Sequence, residues 1–307
     1  MSVNKPKGVY CPVLTPFDKD LKPDVSRFVD HCQSLLSQGC HGLAVFGTTG
    51  EATSLSVEER ITLLEALLSR DIPPSAILPG TGCSALTDSI KLTRHAFEAG
   101  CAGVLMLPPF YYKAVDETGL FQSFSAVIED LGTDLLKVYL YHIPPVSGVP
   151  LEIPLVTRLV ETYPHNVVGL KDSSGDWAYT ETALKELPGF TVFSGSEVFL
   201  QRNLLNGGAG TITASANVNA TAIRSLFDNW AGPDGTKQQN KITKTRKILQ
   251  QFPLIPSLKT IMADNLQDES WKRVRPPLTP LNAEQAQQLL GSLKTTGYIS
   301  PTTLGRP

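Results

Sequence analysis

A single lysine stands at the end of an otherwise apolar run of the sequence. The segment VVGLK over residues 167–171 ends in Lys171 and is followed at once by the polar segment DSSGD. A lysine at the rim of an apolar core loses part of its hydration, which favours the neutral amine and allows it to attack a carbonyl carbon. The alternative is a solvent-facing lysine in an ordinary loop, because lysine is mostly a surface residue. This pattern alone leaves both interpretations open.

Two further segments offer groups that would assist such an amine. Tyr141 ends the apolar run 137–141, and its phenol can relay protons to and from a carbinolamine or an aldol hydroxyl. Taken alone, it is more typical of an aromatic residue that caps a core. The segment GTTGE over residues 47–51 places Thr48 and Thr49 between glycines, where backbone N–H groups and two hydroxyls can hold a small carboxylate. The alternative there is a tight turn that needs glycine for a positive φ.

The elements that must position these groups follow a regular pattern. Short apolar runs recur at a spacing of about 30 residues, and stretches with helical periodicity separate them. The runs are continuous rather than alternating, as in parallel strands buried on both faces. The predicted strands are residues 9–14, 42–46, 76–80, 103–107, 137–141, 167–171, 191–194 and 210–214. We therefore predict an α/β fold, a (β/α)8 TIM barrel whose strand ends bring Lys171, Tyr141 and Thr48 to one face. A doubly wound sheet is the alternative, but no G-x-G-x-x-G follows the first run.

The chain changes character after Trp230. The segment AGPDG over residues 231–235 indicates a break, and only helical periodicity follows, over 238–251, 257–265 and 282–294. We predict a catalytic barrel over residues 1–230 and a C-terminal helical extension over 231–307, with an extended tail from residue 300. Within the barrel, Asp24, Ser56 and Asn217 are predicted to cap the helices that follow them.

The composition narrows the class of protein. Of the 307 residues, 41% are hydrophobic and 18% are charged, which provides enough apolar material for a large core. The 27 basic and 29 acidic residues give a net charge of −2, which argues against nucleic acid or a membrane surface as the main partner. No apolar run reaches the roughly 20 residues of a membrane span, and the N-terminal residues do not resemble a secretory signal. The 5 cysteines lack C-x-x-C spacing and indicate reduced thiols, so we expect a cytoplasmic protein.

Several motifs together resemble those of the dihydrodipicolinate synthase / N-acetylneuraminate lyase family. They are GTTGE at 47–51, PFYY at 109–112, YHIP at 141–144, GLKDS at 169–173 and SGS at 194–196, and they occur in the family's order and spacing. The resemblance implies a class I aldolase or lyase that forms a Schiff base on a (β/α)8 barrel. It further implies pyruvate and an aldehyde as small-molecule partners, no cofactor or metal, and a homotetramer or homodimer.

The resemblance also implies roles for individual residues. Lys171 corresponds to the lysine that forms an imine with pyruvate or another 2-oxo acid, and Tyr141 corresponds to the acid/base of the family. Thr48 corresponds to the hydroxyl in the proton relay, and the amides of Thr48 and Thr49 correspond to the binder of the 2-oxo-acid carboxylate. An imine at Lys171 would act as an electron sink, so that a C–C bond of the bound acid can break.

Further positions follow from the same resemblance. Gly195 and Ile212 correspond to positions that line the pyruvate site. The family inserts an aromatic residue into a neighbouring subunit's site, and Tyr111 or Tyr112 corresponds to it. We favour Tyr111, although the spacing to Gly119 leaves the choice open, and the pair is also typical of interface packing.

The chain departs from the synthases of this family at Val146. In those enzymes an arginine after the tyrosine binds the carboxylate of the second substrate, and a valine cannot replace that guanidinium. We therefore expect an aldolase or lyase for other substrates, with 4-hydroxy-tetrahydrodipicolinate synthase as the alternative. His142 stands where many relatives have asparagine; it either contacts substrate or is a loop histidine bonded to the backbone. Glu197 either contacts a polyhydroxylated acceptor or, as we expect, merely opens a helix.

Other functions make different demands on the sequence. A metal-dependent aldolase needs clustered His and carboxylate ligands, and the 5 histidines show neither H-x-H nor H-x-x-x-H spacing. A dehydratase of a sugar-derived 2-oxo acid would use the same lysine imine and stays an alternative. A sensor that binds 2-oxo acids without turnover would need the carboxylate cradle but not the set of Lys171, Tyr141 and Thr48.

Overall fold

A curled parallel sheet forms the centre of the molecule. The computed structural model describes residues 5–298. The strands in this part of the chain are β1 (Gly8–Cys11), β2 (Gly42–Leu43), β3 (Val104–Met106), β4 (Val138–His142), β5 (Val167–Asp172), β6 (Thr191–Ser194) and β7 (Gly210–Ile212). They form one sheet in the order β2-β1-β7-β6-β5-β4-β3, and every pairing is parallel. Several strands are shorter than the predicted runs; β1, for example, ends before Pro12, which cannot donate to a ladder.

The segment around Pro79 closes the ring. Ile77 bridges to Leu43 at the end of β2, and Gly80 bridges to Leu105 in β3. The Leu105 N–H also donates to the Pro79 carbonyl at 2.8 Å. Because Pro79 has no N–H of its own, this segment makes isolated bridges rather than a regular strand. It nevertheless fills the third strand position of the barrel. The structure therefore confirms the predicted (β/α)8 TIM barrel.

Helices surround this ring and continue beyond it. Those of the part of the chain before residue 230 are α1 (Val25–Ser37), α2 (Val57–Leu68), α3 (Leu86–Glu98), α4 (Glu117–Leu131), α5 (Pro144–Ser147), α6 (Ile153–Thr162), α7 (Trp177–Glu186), α8 (Leu200–Leu205) and α9 (Ala216–Asn229). The helices that follow are α10 (Gly235–Leu249), α11 (Leu254–Leu266) and α12 (Ala283–Lys294). Within residues 5–298 no helix is both long and apolar enough to cross a membrane.

Two of the three predicted helix caps are confirmed. The Asp24 side chain accepts the Arg27 N–H, and Ser56 forms a capping box with Glu59. The prediction for Asn217 is wrong, because α9 already begins at Ala216 and Asn217 lies inside it. Its side chain instead accepts the Leu14 N–H at 3.0 Å and donates to the Pro12 carbonyl at 2.9 Å. Asn217 therefore satisfies backbone groups that β1 leaves unpaired beyond its end.

The interior of the ring is packed with aromatic side chains. Tyr10, Tyr139 and Phe193 are buried, and the ring centroids of Tyr10 and Phe193 lie 5.5 Å apart. A Cβ at Gly169 would lie 2.4 Å from the Tyr139 ring, so glycine is needed there to admit that ring. Lys171 is two residues further along β5 and points to the same side of the strand. The aromatic layer thus forms a floor beneath Lys171.

A second apolar cluster joins the C-terminal helices to the barrel. Leu14 and Val218 from the barrel pack with Leu258 of α11, Trp271 and Leu289 of α12. The observed helices overlap the three that the sequence predicts, and Asn282 forms a capping box with Gln285 at the start of α12. The division of the chain at residue 230 stays a prediction, and the expected tail from residue 300 lies outside the described residues.

Candidate active site

A cavity of about 430 Å³ opens at the carboxyl ends of the strands. Side chains from β4, β5 and β7, from the loops after β1, β2 and β6, and from the C-terminal helices line it. Among its lining residues are Thr48, Thr49, Tyr141, Val146, Lys171, Asp172, Gly195, Ile212, Arg246 and Pro253. Most of the residues predicted from the sequence therefore meet in one place, although they come from separate parts of the chain.

Lys171 lies at the base of this cavity. It is only 4% exposed and stands in register with Tyr141 on β4 and Phe193 on β6. Its Nζ lies 4.0 Å from the centroid of the Tyr141 ring. No carboxylate of residues 5–298 lies within 4.0 Å of this Nζ, in contrast to the ion pairs formed by other lysines such as Lys259. An amine so placed is buried, faces open space and is not held by an ion pair.

Tyr141 places its phenol beside the amine. The Tyr141 Oη lies 3.4 Å from the Oγ1 of Thr48. Burial alone would raise the pKa of this phenol, but the nearby charge of Lys171 and the hydrogen bonds to the phenol oxygen outweigh burial and hold the pKa below its ordinary value. A phenol with a lowered pKa, close to both an amine and a second hydroxyl, is suited to proton transfer.

The loop after β2 presents unpaired backbone donors to the cavity. The N–H groups of Gly50, Glu51 and Ala52 donate to carbonyls within the loop. The N–H groups of Thr48 and Thr49 have no partner among residues 5–298, and both residues line the cavity. Two free N–H groups beside a threonine hydroxyl match the oxygens of a carboxylate.

A buried ion pair fixes this loop from behind. Glu51 adopts a left-handed conformation with φ of 55°. Its Oε1 accepts from the Nζ of Lys259 in α11 at 2.5 Å, and its Oε2 accepts from the Arg275 N–H at 2.9 Å. Burial lowers the pKa of Lys259 to about 8, although the charge of Glu51 acts in the opposite direction. Sequence reasoning missed this pair; Lys259 lies in the mostly apolar first part of α11, but nothing there identifies Glu51 as its partner.

Gly195 and Ile212 both lie at the wall of the cavity. The Gly195 N–H donates to the Asp172 carbonyl at 2.6 Å, and a Cβ at this position would lie 2.0 Å from the Oγ of Ser173. Only glycine therefore fits between the ends of β5 and β6. Ile212 is fully buried at the end of β7. Their placement agrees with the predicted lining role, which stays a prediction.

His142 lies on the other side of its strand. Its Nδ1 accepts the Leu151 N–H at 3.0 Å, and its ring stacks on Tyr179 with centroids 3.9 Å apart. It does not line the cavity. The predicted contact with substrate is therefore corrected, because the alternation of a strand points His142 away from the side that Tyr141 faces. The backbone-bonded alternative describes this residue.

Glu197 opens a short 3-10 helix, Glu197–Phe199, as the sequence suggested, but it is not an ordinary exposed residue of a first turn. It is fully buried, and its two oxygens accept from the hydroxyls of Thr213 and Ser215, each at 2.5 Å. Arg246 of α10 lies 3.7 Å from its Oε2. Arg246 lines the cavity, and sequence reasoning did not single it out. The reason is that the two charges belong to elements far apart along the chain.

The remaining predicted residues lie toward solvent. Val146 is 63% exposed at the mouth of the cavity, so the position of the missing arginine is accessible to a ligand. Tyr111 and Tyr112 are each 74% exposed, with ring centroids 5.4 Å apart. Neither lines the cavity of its own chain. Their predicted insertion into a neighbouring subunit stays a prediction.

Comparison with known proteins places this chain among enzymes. A model of the dihydrodipicolinate synthetase family matches residues 5–296. The chain is 36% identical over 287 residues to an uncharacterized DapA-like lyase of Chloroflexus aurantiacus, which covers 93% of this chain and 95% of that relative. Dihydrodipicolinate synthase from Agrobacterium tumefaciens has a TM-score of 0.88 at 34% identity, covering 94% of this chain and 99% of that one. Escherichia coli YagE, solved in complex with pyruvate, has a TM-score of 0.86 at 27% identity, covering 95% and 99%. The chain therefore belongs to the dihydrodipicolinate synthetase family, whose members are lyases and aldolases.

Proposed function

We propose that this chain is a class I aldolase or lyase that forms a Schiff base between Lys171 and a 2-oxo acid, with pyruvate as donor or product. The observation that carries the proposal is the Lys171 Nζ. It is buried, faces the cavity, lies 4.0 Å from the Tyr141 ring centroid and has no carboxylate partner among residues 5–298. The pyruvate bound to YagE supports the same class of substrate.

The proposed reaction begins when the neutral amine of Lys171 attacks C2 of the 2-oxo acid. The resulting carbinolamine loses water and becomes a protonated imine, which draws electrons from the neighbouring carbons. In the cleavage direction Tyr141 removes the proton of the C4 hydroxyl, the C3–C4 bond breaks, and an aldehyde leaves. The electron pair stays on C3 as an enamine, which takes up a proton. Water then hydrolyses the imine, releases pyruvate and restores the amine.

Thr48 and Thr49 have two roles in this proposal. The 3.4 Å contact between the Thr48 hydroxyl and the Tyr141 phenol supports a path by which a proton leaves the phenol. The free N–H groups of both threonines are suited to bind the carboxylate of the 2-oxo acid and so to orient C2 toward the amine. Because Glu51 holds this loop in place, the donors need no reorganisation during the reaction.

The assembly and location of the enzyme are also proposed. We infer a homotetramer or homodimer in which Tyr111 of one chain reaches the site of the next, in a cytoplasmic setting. The support is the resemblance of the PFYY segment and the high exposure of Tyr111. The domain division at residue 230 belongs to the same proposal.

Val146 argues against the synthase activity of the Agrobacterium tumefaciens relative. A charged hydrogen bond contributes about 2 kcal/mol, so its absence should cost about thirtyfold in binding of aspartate semialdehyde. That activity, a dehydratase with the same imine, and a 2-oxo-acid sensor are the alternatives. A coupled assay with pyruvate and aspartate semialdehyde tests the synthase alternative. Efficient turnover of this pair would contradict our proposal.

A panel of 4-hydroxy-2-oxo acids tests the proposed activity. Each acid is added to the full-length protein, and pyruvate is followed by NADH oxidation through lactate dehydrogenase. We expect pyruvate from at least one acid and none when the Lys171→Ala variant replaces the wild type. Loss of water without pyruvate would identify the dehydratase instead. Binding of pyruvate without turnover of any acid would identify the sensor.

A further inference from the structure

Arg246 supplies a second positive charge to the cavity. Of the residues within 5–298 that line the cavity, Lys171 and Arg246 are the cationic ones, and Asp172 is the carboxylate. The Asp172 oxygens already accept from the Ser174 N–H at 2.9 Å and from the Thr180 hydroxyl at 2.5 Å. If Lys171 is consumed in the imine, Arg246 is the cation that can meet an anionic part of the substrate.

The guanidinium of Arg246 has few partners in the protein. Its Nη1 donates to the Ser215 hydroxyl at 3.2 Å, and its Nε is buried without a partner among residues 5–298. The distance of 3.7 Å to Glu197 exceeds an ordinary hydrogen bond. A guanidinium carries five N–H donors, and buried donors are costly when they are not satisfied. Since Nε has no accessible surface, the donors that Arg246 keeps for a ligand are those of its terminal nitrogens, of which only Nη1 forms a hydrogen bond among residues 5–298.

Glu197 holds Arg246 without saturating it. Both carboxylate oxygens of Glu197 are occupied by the hydroxyls of Thr213 and Ser215. The Gln239 side chain of α10 also donates to the Glu197 carbonyl at 2.9 Å. These contacts fix α10 against the ends of β6 and β7. The carboxylate of Glu197 therefore positions the guanidinium of Arg246. The hydrogen bonds of Glu197 come from uncharged hydroxyls, so they do not neutralise its charge.

Arg246 and Val146 lie on opposite sides of Lys171. Val146 follows β4, and Glu197 and Ser215, which contact Arg246, follow β6 and β7. Lys171 belongs to β5, between these two sides in the order of the sheet. The side of the cavity where relatives place an arginine is apolar here, and the cation is supplied from the other side by the C-terminal helices.

We propose that Arg246 binds an anionic group, a carboxylate or a phosphate, at the far end of the aldehyde or of the longer 2-oxo acid from which it is released. Guanidinium binds both groups through paired N–H donors. This inference rests on the proposed function and specifies the substrate class. It distinguishes the chain from an enzyme that takes neutral aldehydes.

Two pairs of aldehydes test the assignment in the condensation direction with pyruvate. Succinic semialdehyde is compared with butanal, and glyceraldehyde 3-phosphate with glyceraldehyde, so that carboxylate and phosphate are examined separately. We expect wild type to prefer the anionic member of at least one pair, judged by kcat/KM. Arg246→Gln should reduce this preference about 10- to 100-fold. Lys247→Gln is the matched control, because it removes an exposed charge from the same helix and should leave the preference unchanged.

Several results would overturn the assignment. The assignment fails if wild type prefers neither anionic aldehyde over its neutral counterpart, or if Arg246→Gln lowers kcat/KM equally for both members of a pair. The assignment also fails if Arg60→Gln, and not Arg246→Gln, removes the preference for the anionic aldehyde. Arg60 is the alternative cation because it lines an adjoining pocket of about 220 Å³. If Arg246→Gln does not fold, Arg246→Lys decides: an unchanged preference contradicts paired donation by Arg246, and a several-fold loss supports it. Failure of pyruvate and borohydride to label Lys171 would refute the proposed function itself, independently of these ratios.

Discussion

Lys171 and Lys259 are both buried, and each places its Nζ over an aromatic ring. Lys171 lies 4.0 Å from the ring centroid of Tyr141, and Lys259 lies 4.4 Å from that of Phe17. The ion pair of Lys259 with Glu51 and its hydrogen bond to the Arg273 carbonyl occupy its ammonium group, and it is fully buried. Among residues 5–298, Lys171 has neither a carboxylate partner nor a hydrogen bond to a carbonyl, and it faces the cavity. Burial alone therefore does not distinguish the two lysines; they differ in access to the cavity and in whether acceptors occupy the ammonium group.

The two lysines act on the same loop from opposite sides. Glu51, which pairs with Lys259, lies three residues after Thr48, whose hydroxyl contacts Tyr141 beside Lys171. In the proposed mechanism, Lys259 supports the carboxylate cradle and Lys171 performs the chemistry that the cradle serves. Substitution at each position should have a different principal effect.

The largest expected effect on activity is that of replacing Lys171. Lys171→Met and Lys171→Arg should each lower kcat by at least about a thousandfold, because neither side chain can form the imine. Lys171→Arg keeps a positive charge, so it separates nucleophilic from electrostatic roles. Steady-state kinetics on the best substrate of the panel measure both variants. Substantial activity in Lys171→Arg would show that charge, not imine formation, is what Lys171 supplies.

Replacing Lys259 should affect stability first. Lys259→Met leaves the buried Glu51 carboxylate without its cation and should lower the free energy of unfolding by about 3 to 5 kcal/mol. Urea denaturation followed by circular dichroism measures the loss. The double variant Glu51→Gln/Lys259→Met should recover part of it, since no unpaired charge remains. If Lys259→Met is as stable as wild type, the structural role that distinguishes Lys259 from Lys171 is contradicted.

The environment of Lys171 can be examined through Tyr141. Tyr141→Phe should lower kcat about a hundredfold, because the phenol that moves protons is lost. Thr48→Val should raise the pKa of Tyr141, since the hydrogen bond from Thr48 helps to lower it. In the proposed mechanism Tyr141 must be deprotonated to accept the proton of the C4 hydroxyl, so the acidic limb of the pH profile of kcat/KM should move to higher pH. An unchanged limb would exclude Tyr141 as the group that titrates there.

The smallest expected effect is a pH dependence that belongs to Lys259. Its pKa of about 8 in the folded protein lies below the ordinary lysine pKa of 10.5. Between these values the unfolded chain binds a proton that the folded protein does not, so the free energy of unfolding rises with pH through this window. The stability difference between wild type and Lys259→Met should therefore grow from about pH 8 to about pH 10.5. A difference independent of pH would contradict the lowered pKa.

The barrel and the residues of its mouth could be predicted because their signals are local. Continuous apolar runs mark buried parallel strands, and the fold then brings together Lys171, Tyr141 and Thr48. The placement of His142 could have been predicted as well, since strand alternation excludes it from the face that Tyr141 occupies. The sequence also predicts a strand at the third position. Pro79 in that segment reduces it to isolated bridges, which the apolar pattern does not indicate.

The buried ion pairs could not be predicted in the same way. Glu51 and Lys259 are 208 residues apart, and nothing near either residue indicates its partner. The surroundings of Glu197 depend equally on how α10 packs against the ends of β6 and β7. Contacts of this kind arise from the packing of the C-terminal helices. Periodicity predicts these helices, but it does not specify which face of each helix packs against the barrel.

Reductive trapping tests the central claim most directly. The full-length protein is incubated with pyruvate and sodium borohydride, digested, and mapped by mass spectrometry. We predict one reduced pyruvate adduct, on Lys171, with Lys259 unmodified and no adduct when pyruvate is omitted. The Lys171→Arg variant should give no adduct at either position. An adduct on Lys259 or on surface lysines but not on Lys171, or no adduct at all, would contradict the account.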